Sequence, residues 1–333
     1  MRKFARLGGV AATVGIVAMA LVGCSSGGAV SPTSTEAPKL FNMTVSIGGN
    51  SNDIALQYAI TQGYFAAEGL AVQATVLQNG AQLMPLLLNG QMQAGLSNVP
   101  NVAAAVTQGL DVQFVASAVY NAKSGKSFDG IIVGADSGIN SPKDLVGKTV
   151  AVPGVSGASA LLLFAAVTKD GGDPNGIKMV EMPQPDMVAA VQAGHVDAGV
   201  EVEPFVTVGT QAGLKVLTYP SSYALPGQLF TGWVMSKDFI TKNPDQVAAF
   251  ARALNKANTE IGADIAADGK VARTVLANSV KIDPAVIDLI TMPTFSGEDL
   301  KPAAIADVLA DIYKFKLLTG TPLAAKTLIW SGK

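Results

Sequence analysis

"AVPGVSGASALLLF", residues 151–164, places a short apolar run, a loop of Gly and Ser, and a long apolar run in succession. The order reads as a strand, a turn, and a helix that opens on Ala158 and Ser159. A loop that leads from strand to helix in this way aims free backbone N–H groups, and the positive end of the helix dipole, at whatever lies above it. Neither the G-x-x-x-x-G-K-[ST] pattern nor the G-x-G-x-x-G spacing is present, so a nucleotide cradle has no support here.

Outward from this stretch the same strand–helix alternation continues. "IKMVEM" (177–182) and "VDAGVEV" (196–202) read as strands, and between them "DMVAAVQA" (186–193) reads as a helix stopped by Gly194. These define a small α/β unit over 132–230. On its N-terminal side "MTVSIGG" (43–49), "LAVQATVLQ" (70–78) and "VQFVASAVY" (112–120) read as strands. The segments "DIALQYAITQGYF" and "AQLMPLLLNG", and a helix near 100–107, separate them. Repeated strand–helix units predict parallel-rich sheets with helices on both faces. The region from 243 onward is mostly helical, with Asn243 suited to cap a helix and Pro244 to occupy its first position.

The 333 residues, 49% hydrophobic and 14% charged, suffice for two packed cores. A net charge of −2, with no basic cluster beyond the N-terminus, argues against nucleic acid as a partner. Arg2, Lys3 and Arg6 precede an uncharged run from Leu7 to Gly23 and then "LVGC" (21–24), the arrangement of an export signal; a plain membrane anchor is the other reading of this run. Residues 25–38, "SSGGAVSPTSTEAP", have the composition of a flexible tether, with a span of roughly 20 Å. Cys24 is the only cysteine and His195 the only histidine. An intrachain disulfide, a cysteine nucleophile in the folded body and a multi-histidine metal site are thereby excluded. His195, between a helix-ending Gly and a strand, reads as a surface residue, and Tyr58, Tyr64 and Phe65 read as packing.

Five stretches carry a family likeness: "ALQYAITQGYFAAEGLAV", "NGQMQAGLSNVP", "SPKDLVGKTVAVPGVSGAS", "VQAGHVDAGVEVEPF" and "SKDFITKNPDQVAAFARALNKA". In this order, behind a "LVGC" that resembles the bacterial lipobox, the chain resembles the substrate-binding lipoproteins of ABC importers. The group is the nitrate/sulfonate/taurine one, which also contains binders of thiamine-pyrimidine precursors. The likeness implies a two-lobed α/β fold of the type II periplasmic-binding, Venus-flytrap kind, parallel-rich in each lobe. Residues 1–23 would be the lipoprotein signal peptide and 24–40 the lipidated Cys24 and tether. The large lobe would comprise 41–131 and 231–333, and the small lobe 132–230. Export, and anchoring by lipid on the outer face of the cell membrane, follow as expectations. So do a monomeric state and an inner-membrane ABC permease as partner.

Ligands of open α/β sheets collect at the carboxyl ends of strands, and the post-strand loops supply the candidates. "GGNSND" offers Asn50 and Ser51, and "SNVP" offers Ser97 and Asn98; an ordinary turn is the alternative for both. Gly154, Ser156, Gly157, Ala158 and Ser159 form the loop that, by the family likeness, meets the ligand's anionic group; a plain helix cap is the alternative. Glu201 and Glu203 lie two apart on a strand and so share a face. Glu203, at the strand end before Pro204, is the candidate to overhang the cleft and attract an amine, with an exposed edge or a salt bridge as its alternative. Thr231 is a candidate donor, and Trp233 a candidate stacking surface or a core residue.

The reading is a binding protein without catalysis, cofactor or metal, which captures a small organic anion or zwitterion of sulfonate or taurine type. The alternatives are a binder of a pyrimidine or other aromatic precursor, an exported enzyme on the same fold, and a sensor lipoprotein without its own permease.

Overall fold

The computed structural model describes residues 39–77, 82–280 and 282–332. The export signal, Cys24 and the 25–38 tether lie outside the described residues. The strands are β1 (Phe41–Ile47), β2 (Leu70–Val76), β3 (Ala94–Asn98), β4 (Val112–Tyr120), β5 (Asp129–Gly134), β6 (Thr149–Val152), β7 (Lys178–Glu181), β8 (Ala198–Val202), β9 (Leu214–Thr218) and β10 (Leu229–Ser236). They form two five-stranded sheets, ordered β2-β1-β3-β10-β4 and β7-β6-β8-β5-β9. In the first, β1 is parallel to β2 and β3, while β10 is antiparallel to β3 and β4. In the second, β6 is parallel to β7 and β8, while β5 is antiparallel to β8 and β9. The expected parallel-rich α/β architecture is therefore present, with one antiparallel strand inserted in each sheet. The chain passes from the first sheet to the second through residues 121–128 and returns through 219–228.

The helices are α1 (Ile54–Thr61), α2 (Tyr64–Ala67), α3 (Leu83–Leu88), α4 (Val99–Thr107), α5 (Ala158–Lys169), α6 (Gln184–Gln192), α7 (Phe205–Gln211), α8 (Pro220–Ala224), α9 (Lys237–Lys242), α10 (Pro244–Ala267), α11 (Lys270–Ser279), α12 (Pro284–Ile287) and α13 (Ala303–Lys314). The 54–65 segment breaks at Gly63, whose φ of +71° suits glycine, so one expected helix becomes α1 and α2. Asn243 precedes α10 and Pro244 begins it, but Asn243 makes no side-chain cap bond. His195 is exposed and Phe65 is buried against Phe250. Tyr58 and Tyr64 both donate to the Glu260 carboxylate on α10, which ties α1 and α2 to that helix.

The second sheet shows why its strands are apolar on both sides. Ile131, Val133, Val150 and Val152 pack on one face with Leu163, Phe164 and Val167 of α5. Ile132 and Ala151, one residue out of phase, pack on the other face with Met187, Val188 and Val191 of α6. α5 has a second apolar stripe. Ala158, Leu161, Leu162 and Ala165 are buried in the same cluster as Val45, Val99, Phe230 and Val308 of the first sheet and its helices. This helix is thus shared between the two halves of the fold, and its N-terminus is placed by packing on both.

Candidate functional site

A cavity of about 480 Å³ opens where the ends of both sheets meet. Asn50 and Asn52 line it after β1, and Asn98 and Asn101 at the start of α4. Gly154, Ser156, Gly157, Ala158 and Ser159 line it after β6, Glu181 and Gln184 after β7, and Phe230 and Thr231 at the start of β10. Met84, Pro85, Ala104, Ala105 and Val202 add apolar wall. No Lys, Arg or His lines it among the described residues.

Local sequence builds each wall. Asn98 ends β3 in extended conformation and accepts from the Asn101 backbone N–H at 3.0 Å, so its carbonyl oxygen caps α4 and its amide NH₂ is left to face outward. α5 is different. Its N-cap is Gly157, which has no side chain to offer, and intrahelical bonding begins only with Leu161 N–H to Gly157 O. The N–H groups of Ala158, Ser159 and Ala160 precede that bond and have no capping side chain. A Cβ on Gly157 would stand 3.6 Å from Asn101 Oδ1 and 3.7 Å from Asn98 Nδ2. The beginnings of α4 and α5 therefore face each other closely, and glycine leaves the α5 amides accessible between them.

The "GGNSND" loop is internally satisfied. Asp53, fully buried, accepts N–H bonds from Gly48 (3.1 Å), Gly49 (2.6 Å) and Asn50 (3.0 Å). Burial outweighs these three donors and holds its carboxyl up at about 6. The loop's anion-attracting N–H groups are occupied by the chain's own carboxyl. What it turns to the cavity is side-chain amide: Asn50 Nδ2 donates to Gln184 Oε1 at 3.1 Å across the cavity, and Asn52 Oδ1 is buried without a partner among the described residues. Thr231 Oγ1 is likewise buried, at the cavity wall, without a partner.

Of the sequence candidates, Asn50, Asn98, Gly154, Ser156, Gly157, Ala158, Ser159 and Thr231 converge on the cavity. Four do not line it. Ser97 neighbours Asn98 on a strand and so faces the opposite side. Ser51 is fully buried, with its N–H turned to Glu203 O. Trp233 lies two residues further along β10, 1% exposed and edge-on to Phe250, so the structure assigns it to the core and not to stacking on a ligand. Glu203 does not overhang the cavity. Its carboxylate is 2% exposed and accepts from Thr207 N–H (3.0 Å), Thr207 Oγ1 (2.8 Å) and Thr291 N–H (3.2 Å), a buried setting that pushes its pKa up. Glu201 is fully buried, neither of its carboxyl oxygens has a hydrogen-bond partner among the described residues, and desolvation raises its pKa well above the usual range. The sequence reading missed Asn52, Asn101, Glu181, Gln184 and Phe230; Gln184 and Glu181 stand at the end of "IKMVEM", a strand whose following loop carries no Gly or Ser to attract notice.

With this geometry in view, the comparisons with known proteins are decisive for kinship. Residues 50–264 match the NMT1/THI5-like family. The chain belongs to that family. The taurine-binding periplasmic protein of Escherichia coli is 32% identical over 191 residues, 57% of this chain and 57% of the relative. The formylaminopyrimidine-binding protein of Halalkalibacterium halodurans is 28% identical over 60% of each chain. The 4-amino-5-hydroxymethyl-2-methylpyrimidine phosphate synthase of Schizosaccharomyces pombe is 24% identical over 61% of this chain and 60% of the relative. The match thus spans less than two thirds of these relatives' length. Among solved structures, the ligand-binding component of an ABC-type import system from Staphylococcus aureus superimposes with a TM-score of 0.75 at 14% identity, covering 87% of this chain and 96% of that one. The periplasmic aliphatic sulphonate binding protein of E. coli gives 0.67 at 19% identity, covering 87% and 97%. The fold of this NMT1/THI5-like chain is accordingly the two-lobed periplasmic-binding one. The relatives include both binding proteins and synthases.

Proposed function

We propose that this NMT1/THI5-like protein is the extracytoplasmic solute-binding subunit of an ABC importer, and that it captures a small organic anion or zwitterion of sulfonate or taurine type. The observation that carries the reading is the uncapped start of α5, held open by Gly157 inside a cavity walled by both sheets. Three N–H groups and the helix dipole favour an acidic group there without a fixed countercharge. The remaining wall is rich in amide groups, with Glu181 the one acidic side chain among the described lining residues, which suits a second polar or amino group on the same small molecule. The taurine- and sulphonate-binding relatives support the same class. Lipid attachment at Cys24, export to the outer face of the membrane, a monomeric state and docking to a permease belong to the same proposal, as does the division into a large lobe of 41–131 with 231–333 and a small lobe of 132–230. A non-catalytic role is favoured by a cavity lining that, among the described residues, holds no histidine, cysteine or lysine. The presence of pyrimidine synthases and a formylaminopyrimidine-binding protein among the relatives makes a flat pyrimidine the second ligand class.

A thermal-shift screen tests this with 2-aminoethanesulfonate, methanesulfonate, nitrate and an aminopyrimidine against the wild type and Gly157→Val. A solute that binds only the folded state stabilises it by RT ln(1 + [L]/Kd), about 2.7 kcal/mol at a hundredfold excess over Kd. A sulfonate is expected to raise the Tm of the wild type. The Val side chain, crowding Asn98 and Asn101 and covering the α5 amides, is expected to remove at least ~90% of the affinity. Stabilisation by the aminopyrimidine alone would contradict the acidic-solute reading, as would an equal sulfonate response in folded Gly157→Val.

A further inference from the structure

Glu203 bonds to both halves of the fold, although it does not line the cavity. Its backbone N–H donates to Phe128 O at 2.6 Å, in the segment that crosses from the first sheet to the second. Its backbone carbonyl accepts the Ser51 N–H at 3.0 Å, from the loop after β1. Its carboxylate accepts twice from Thr207 in the first turn of α7, packed on the second sheet, and once from Thr291 N–H. Thr291 belongs with the first sheet: Ile287, Ile290 and Phe295 around it share the core of Val45 and Phe114, and Thr294 O accepts from Tyr120 N–H of β4. One buried residue therefore bonds through its main chain to the first cavity loop and through its side chain to the 288–295 segment.

The contact to Ser51 sits next to cavity residues on both sides. Asn50 reaches across to Gln184, and Asn52, whose buried carbonyl oxygen has no partner among the described residues, lines the cavity. If the two halves part, Ser51 N–H and Thr291 N–H lose their acceptors together, while both carboxylate oxygens keep Thr207. We infer that Glu203 is a positioning residue, an interlobe latch that holds the first cavity loop and the 288–295 segment against the second sheet and so keeps the cavity assembled. The latch acts on the loop that carries Asn50, not on the solute. It rests on the two-lobed reading but not on the solute's identity.

The test is amide hydrogen exchange on the solute-free full chain. In the wild type both 48–54 and 288–294 are expected to be protected. Glu203→Ala is expected to speed exchange in both segments by about tenfold, while the buried middle of α5 (161–167) keeps its wild-type rate. Glu203→Gln retains one carbonyl oxygen as an acceptor and is expected to restore part of the protection in both segments. A rise confined to 288–294 and the start of α7, where Thr291 and Thr207 lose their acceptor directly, would overturn the latch and leave Glu203 a local cap. Thr291→Pro removes the donor without touching the carboxyl and serves if Glu203→Ala fails to fold, as judged by circular dichroism. Faster exchange at 48–54 in this variant supports the latch, and unchanged exchange there overturns it.

Discussion

The buried carboxyl of Asp53 sets the character of the first cavity loop. Three consecutive N–H groups that could hold an external anion are turned onto the chain's own side chain, which leaves the α5 amides as the open anion-favouring group at the cavity. Because burial raises this carboxyl from an ordinary value of 3.8 to about 6, the native state holds its proton more tightly than the unfolded chain does. The associated stability is fully present below about pH 3.8 and is lost as pH rises through about 6, a change on the order of 3 kcal/mol from this group. Urea denaturation at pH 4 and pH 7 is expected to show a smaller fall in unfolding free energy for Asp53→Asn than for the wild type. Identical pH dependence in the two proteins would remove Asp53 from this role.

At the scale of one element, α5 joins fold and site. Its Leu163, Phe164 and Val167 bury on the second sheet while Leu161 and Leu162 bury toward the first, so the position of its N-terminus depends on both contacts. Leu162→Ala is expected to cost about 2–5 kcal/mol of stability, read as a lowered urea midpoint, and to weaken sulfonate affinity although the side chain does not line the cavity. A destabilised variant with unaltered affinity would show that the helix start is held by the second sheet alone. Much of this element was legible in the sequence: the strand, the Gly-Ser turn and the helix at 151–164 are local signals, and their order alone places the loop at a sheet end. The fate of Glu203 and Trp233 was not. Glu203 sits just past the end of β8 and Trp233 within β10, and the surroundings of each are set by a distant segment, Thr291 in one case and Phe250 in the other, which no local pattern announces. Gln184 and Asn101 were missed for the converse reason, since an amide in a helix's first turn looks like any capping or solvated residue until the opposite wall is in place.

For the whole molecule, the proposed binding mode seats a small acidic solute on the start of α5, in a cavity whose other wall comes from the first sheet and its helices, so that binding draws on both halves at once. A ligand that contacts two movable bodies favours the arrangement in which both contacts are made. The most direct measurement follows the backbone amide chemical shifts of Ala158, Ser159 and Ala160, together with the side-chain amides of Asn98 and Asn101, during titration with 2-aminoethanesulfonate. Both sets are expected to move with one common midpoint, which matches the concentration dependence of the thermal stabilisation. Saturable stabilisation with the three α5 amides unmoved would contradict it.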